Sequence, residues 1–157
     1  MKTSRLDKYG KINRDKILSF SWDKKKYKGF EGDTLASALL ANNIGIVGRS
    51  FKYHRPRGIF SSGVEESGAL VTIGSKDKRD PNVRATTQEL YDGLEARGQN
   101  AFPNVNFDLA GINNYLGRFF AAGFYYKTFM GIPPFEWGKG TAIWMFFEKF
   151  IRKAAGM

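Results

Sequence analysis

Leu18-Ser19-Phe20-Ser21-Trp22, Asp23-Lys24-Lys25-Lys26, Tyr27-Lys28-Gly29-Phe30 and Gly32-Asp33-Thr34-Leu35-Ala36-Ser37-Ala38-Leu39-Leu40-Ala41-Asn42 follow one another without a break. Leu18, Phe20 and Trp22 alternate with two serines, the period-2 pattern of a half-buried strand. Asp23 to Lys26 predicts a turn, and Tyr27 to Phe30 a returning strand. Asp33 suits an N-cap for the segment 34–41. There Leu35, Ala38, Leu39 and Asn42 keep helical spacing, with Ala36 and Leu40 widening the apolar face. Gly45 is the expected helix stop. Ile46 and Val47 predict a short strand, and Leu70 to Ile73 another.

Two strands, a helix, a long loop and a further strand make the β-grasp order, an α+β fold shared by ubiquitin-like and ferredoxin-like families. That order alone does not give a function. The loop between Arg57-Gly58-Ile59-Phe60-Ser61 and Ala69-Leu70-Val71-Thr72 has the length and flanks of a ferredoxin cluster loop. A plant-type [2Fe–2S] loop supplies three thiolates as C-x₄-C-x₂-C. Counting back from the strand, those slots hold Ser61, Glu66 and Ala69, and the chain contains no cysteine. Alanine ligates nothing, so a working [2Fe–2S] electron carrier fails on its ligands. The absence of cysteine also rules out disulfides and thiolate nucleophiles.

The β-grasp is expected over residues 16–75, after a polar arm of residues 1–15. Beyond Gly74 the chain is charged and contains Pro81, which suits an exposed connector. The segment 86–96 fits a short strand or a helix. From Ala101 onward, 15 of the 24 aromatic residues fall in 57 positions. Helices are expected at 109–120 and 141–155, in an aromatic extension over 76–157 that docks on a surface outside this sequence. The first seventeen residues lack an apolar leader core, and the apolar runs at 119–124 and 143–147 are short for a bilayer. The expectation is a cytoplasmic protein with no membrane partner.

The net charge of +10 is uneven. Residues 1–57 hold fourteen Lys/Arg against five Asp/Glu, while residues 58–157 hold eleven against ten. Such a field points to an acidic partner, whether nucleic acid, a cofactor phosphate or a protein surface, or else to a solvated basic tail and hairpin. The densest chemistry is Gly48-Arg49-Ser50-Phe51-Lys52-Tyr53-His54-Arg55-Pro56-Arg57-Gly58. Arg49, Lys52, Arg55 and Arg57 offer phosphate or interface contacts, with Phe51 and Tyr53 available to stack. The competing reading is an inter-subunit or inter-domain salt-bridge patch. His54 has no nucleophile or orienting carboxylate nearby in sequence and reads as a structural histidine. Glu65 and Glu66 read as loop-surface charges. Gly138-Lys139-Gly140-Thr141 fails as a nucleotide loop because Pro133 and Ile143 stand where glycine is needed. It reads as a flexible joint after a stop at Pro133-Pro134. No catalytic residue and no metal site can be named.

Residues 32–42, together with Arg49 to Gly58, closely resemble the start of the heterotetrameric sarcosine oxidase alpha subunit. Arg84-Ala85-Thr86-Thr87, Glu89-Leu90-Tyr91-Asp92-Gly93-Leu94-Glu95-Ala96, Ala122-Gly123-Phe124-Tyr125-Tyr126-Lys127-Thr128-Phe129-Met130 and Ile151-Arg152-Lys153-Ala154-Ala155-Gly156 extend the likeness over roughly residues 17–157. The resemblance implies a ferredoxin-like β-grasp without cluster cysteines, at the head of a much longer subunit. In that family an NAD-holding dinucleotide-binding region and a folate-binding region follow. The beta subunit carries FAD, FMN lies between alpha and beta, and sarcosine is oxidatively demethylated with transfer of the one-carbon unit to tetrahydrofolate. This sequence stops where the dinucleotide-binding region should begin. The expectation is therefore a non-catalytic module, fragment or split subunit, that binds no cofactor alone and whose partners are the rest of such an enzyme. The alternative is a basic β-grasp adaptor for nucleic acid.

Overall fold

The computed structural model describes residues 4–119 and 141–154 (for 141–143 and 154, the backbone alone). Strands β1 (Asn13–Trp22) and β2 (Lys25–Glu31) form an antiparallel hairpin in which Trp22 faces Lys25. The turn is the two residues Asp23 and Lys24, both at positive φ (46° and 69°). That hand matches the twist of the flanking strands, so the hairpin closes tighter than the expected four-residue turn. Leu18, Phe20 and Trp22 point into the core, as their alternation requires.

Helix α1 (Leu35–Ala41) buries Leu35, Ala36, Ala38 and Leu39 against that face. Its N-cap is Thr34, whose side chain accepts from Ser37 N, and not the expected Asp33. Asp33 sits one residue earlier, with its carboxylate buried. It accepts from Phe30 N (2.9 Å) and Ser37 Oγ (2.7 Å), and from both terminal nitrogens of Arg5 (2.9 and 2.7 Å). Part of the polar N-terminal arm is thereby tied to the helix start. The helix ends at Asn42 with Asn43 at φ 61°, ahead of the expected stop at Gly45, because asparagine tolerates the left-handed conformation.

The sheet continues beyond residue 75, where the sequence reading ended the β-grasp. Strands β5 (Leu70–Ile73), β6 (Asp80–Arg84) and β7 (Leu94–Gly98) complete a five-stranded sheet of order β2-β1-β7-β5-β6. The central strand β7 runs parallel to β1, pairing Phe20 with Leu94 and Trp22 with Ala96, and antiparallel to β5. Pro81 lies in the edge strand β6, where a missing N–H is tolerated, so the second half of the charged connector expected over 75–84 is a strand. A two-stranded ribbon, β3 (Gly48–Arg49) with β4 (Pro56–Arg57), lies beside the sheet. It replaces the strand expected at 46–47, and Val47 is instead a fully buried core residue.

After β7 the chain turns through 99–108 into a 3-10 helix (Leu109–Phe119), with α2 (Thr141–Ala154) later in the chain. A helix was expected at 109–120, and the one present is of the 3-10 type. Gly111, Asn113, Asn114 and Gly117 are weak α-formers, which suits the tighter turn. None of its residues is buried, and Leu109, Ile112, Tyr115 and Phe119 are exposed. The Pro133-Pro134 stop, the 138–140 joint and the aromatic run 122–130 lie outside the described residues. Among the described residues no helix is long and apolar enough to cross a membrane.

Candidate functional site

Loop 58–69 leaves the ribbon at Gly58 and returns to the core at Ala69. One side chain organises it. Glu66 is 1% exposed and turns its carboxylate inward. Oε2 accepts from the backbone N–H of Phe60 (2.6 Å) and Ser61 (2.7 Å). Oε1 accepts from Gly68 N and from Ala69 N (3.1 Å). Expected to be a surface charge, Glu66 is instead the buried centre of the loop, while its neighbour Glu65 is exposed. Burial alone works against the charged form. Four converging amides outweigh it and hold the carboxyl at about 2, below the usual 4.5. The remaining contacts pin the loop from outside: Arg84 Nε donates to Glu66 O (3.2 Å), Thr86 Oγ1 to Gly63 O (2.7 Å), and Ala85 N to Ala69 O (2.9 Å).

The three slots of the spacing argument thus meet around one group. Ser61 and Ala69 contribute amides to the carboxylate of the third, Glu66. An iron–sulfur cluster does not fit this arrangement. No thiolate is present, one slot is a methyl group, and the donors that could face a cluster's sulfurs are taken by a carboxylate.

The basic segment 48–58 behaves differently from a free cationic surface. Arg49 donates through Nε and Nη2 to Val105 O (2.9 and 2.8 Å), and through Nη1 to His54 O (3.0 Å). Arg55 Nε reaches Asn114 Oδ1 (2.8 Å), and its guanidinium lies 4.7 Å from the centroid of the Tyr53 ring. Lys52 Nζ lies 4.9 Å from the same centroid. A Cβ added to Gly117 would come within 3.2 Å of that ring, so the absent side chain is what lets Tyr53 approach the 3-10 helix. His54 has an orienting carboxylate after all, far away in sequence: Nδ1 lies 2.7 Å from Asp108 Oδ2. Asp108 Oδ1 in turn accepts from Phe102 N (3.0 Å) and Ala110 N (3.3 Å). The segment therefore clamps residues 102–117 to the sheet domain, with Arg49, Tyr53, His54 and Arg55 as the grip. Arg57 is exposed on β4 and takes no part in it.

Several residues here escaped the sequence reading. Glu66 was visible as a slot, but not its inward turn. Asp108, Gln99 and Asn100 carried no local signal. Asp23 accepts from Gly98 N (3.1 Å). Burial pushes its carboxyl up, against the opposing pull of the Gly98 and Val105 amides and of Arg97 and Lys25. Among the described residues, no group of three or more His, Cys, Asp and Glu side chains is placed to hold a metal ion.

Residues 15–101, more than half of the chain, match the 2Fe-2S iron-sulfur cluster binding domain family, and the chain belongs to that family. The match spans the sheet and the loop centred on Glu66, so this is a member that keeps the fold and lacks the cluster's thiolates. Within the family the likeness is more particular. The chain is 53% identical over all 157 residues to sarcosine oxidase subunit alpha of Rhizobium meliloti (strain 1021), of which it spans 15%. It is 47% identical over 89 residues to sarcosine oxidase subunit alpha of Corynebacterium sp. (strain U-96), covering 55% of this chain and 9% of that protein. Among solved structures, L-proline dehydrogenase from P. horikoshii is similar at a TM-score of 0.46 and 26% identity, over 55% of this chain and 16% of that one. The chain spans less than a sixth of the length of these curated relatives.

Proposed function

We propose that this chain is a non-catalytic module, the head or a split piece, of a sarcosine oxidase-like flavin-dependent oxidoreductase complex acting on sarcosine or a related secondary amine. Identity of 53% across the whole chain to 15% of a sarcosine oxidase alpha subunit is the observation that carries this reading. The flavins, NAD and folate of such a complex belong to its other parts. The Glu66-filled loop supports a structural rather than an electron-carrying role. The partners are the remainder of the alpha subunit and the companion subunits. Leu109, Ile112, Tyr115 and Phe119, exposed on the 3-10 helix, supply apolar contact surface for them. Arg49, His54 and Arg55 are turned onto residues 105–114, which leaves a weaker cationic face for the competing nucleic-acid reading.

Affinity capture tests this. The tagged chain is co-expressed with the remaining subunits of a sarcosine oxidase-like enzyme and recovered at physiological salt. Stoichiometric co-purification is expected. Recovery of the folded chain alone would end the proposal.

A further inference from the structure

A cleft of about 150 Å³ lies between the β3–β4 ribbon, the end of the Glu66 loop and the residues that follow β7. Its polar walls include Arg49, Arg57, Ser67, Asn82, Gln99 and Asn100, and Phe51 adds an aromatic side. Among the described residues no carboxylate lines it. Three acids bonded to neighbouring residues are committed elsewhere: Glu66 to four loop amides, Asp23 to Gly98 N, and Asp108 to His54 and two backbone N–H groups, with Arg49 Nε 3.9 Å from its Oδ2. Two of the residues that line it carry a buried side-chain atom without a hydrogen-bond partner, the donor Gln99 Nε2 and the acceptor Asn100 Oδ1. Gln99 as a whole is 5% exposed. Buried polar atoms are rarely left unpaired, and each costs about 1–3 kcal/mol when it is.

Gln99 and Asn100 also line a second cavity, of about 260 Å³, where Asp23, His54, Arg97 and Lys153 mix both charges. Of these two, the smaller cleft carries positive charge alone among the described residues. Its guanidiniums differ in availability. Arg49 is held by Val105 and His54 carbonyls and contributes a fixed field, whereas Arg57 is exposed at the rim.

We propose that this cleft is an oxyanion site that takes one phosphate group, free or as the end of a phosphomonoester. Arg57 supplies the charge-assisted bonds, Gln99 Nε2 a neutral donor from the floor, and Asn100 Oδ1 accepts from a protonated phosphate oxygen or a bridging water. Phe51 gives a planar group carried by the phosphate a face to rest on. The assignment narrows the four cationic phosphate candidates of the basic segment to Arg57, and adds two amides that sequence analysis did not single out.

The test follows the side-chain amide signals of Gln99 and Asn100 and the Arg57 Nε signal by ¹⁵N NMR on the full chain. The titrants are inorganic phosphate, adenosine monophosphate and adenosine, at ionic strength matched with chloride. Saturable shifts with phosphate at a dissociation constant of about 1 mM or tighter are expected, weakened about tenfold or more in Arg57→Gln. Adenosine monophosphate binding more tightly than inorganic phosphate assigns the site to a monoester, and equal binding assigns it to the free anion. Shifts no larger than those in chloride with both phosphates, or shifts unaltered in Arg57→Gln, would overturn the proposal. Gln99→Met, which keeps length and removes the donor, checks the floor. Because the readout needs no partner subunit, a negative result here leaves co-purification untouched, and the reverse also holds.

Discussion

Replacing Glu66 by glutamine keeps the side chain's shape and removes its charge, and the consequence can be worked from the four amides. Phe60 N and Ser61 N share Oε2, while Gly68 N and Ala69 N share Oε1. Glutamine has one carbonyl oxygen, so either orientation of its amide turns an NH₂ group towards two N–H donors. Two donors left without an acceptor cost about 1–3 kcal/mol each, and the surviving pair loses its charge assistance. The expected destabilisation is about 3–5 kcal/mol, a large share of the roughly 5–15 kcal/mol that holds a domain together.

Proton linkage gives an independent figure. The Glu66 carboxyl falls from 4.5 to about 2 on folding. A depressed carboxylate contributes stability that is fully present above pH 4.5 and is lost as pH falls through 2. At about 1.4 kcal/mol per pKa unit the shift corresponds to about 3 kcal/mol, and to about 2 kcal/mol once solvent screening is allowed for. Urea denaturation of the wild type and of Glu66→Gln, repeated from pH 6.5 down to pH 2.5, measures both. The gap between the proteins is expected to be widest near neutrality and to narrow by about 1.5 kcal/mol by pH 2.5, since every other carboxylate is common to both. A gap under about 1 kcal/mol at neutral pH, or one that does not change with pH, would refute the carboxylate as the loop's organising centre.

Two further substitutions probe contacts elsewhere in the domain. Gly98→Ala would put a Cβ 2.0 Å from Val105 Cγ1, a clash expected to cost about 1–3 kcal/mol by thermal unfolding and to be partly relieved in the Gly98→Ala/Val105→Ala double variant. Asp33→Asn removes the charge that receives both terminal nitrogens of Arg5; a loss of about 2–4 kcal/mol is expected, with faster hydrogen exchange at Phe30 N, and an unchanged urea midpoint would show that the N-terminal arm contributes nothing there.

What the sequence makes legible follows the range of the interaction that decides each element. The alternation of Leu18, Phe20 and Trp22 and the helical spacing of Leu35, Ala38 and Leu39 are local, and the structure places all six in one core. Strand β7 is decided by a parallel partner more than seventy residues upstream, and Leu94-Glu95-Ala96 is too short for periodicity to separate strand from helix. Hence the sheet was expected to end two strands early. His54 lacked an orienting carboxylate only in sequence, because Asp108, fifty-four residues on, supplies it.

Glu65 and Glu66 set the limit most sharply. They are the same residue type, adjacent, in a loop with no periodicity, and composition treats them alike. One is solvated and the other is buried among four amides. The difference lies in the backbone path, which closes on Glu66 because Gly68 admits the return: a Cβ there would lie 2.7 Å from Gly58 O and 3.1 Å from Glu66 Oε1. A loop that curls its N–H groups towards a common point needs an anion at that point. In this chain a side chain of the loop itself provides it, so the fold of a cluster-binding domain persists without cysteine. The loop's shape therefore depends on one carboxylate staying ionised, and not on a ligand acquired after folding.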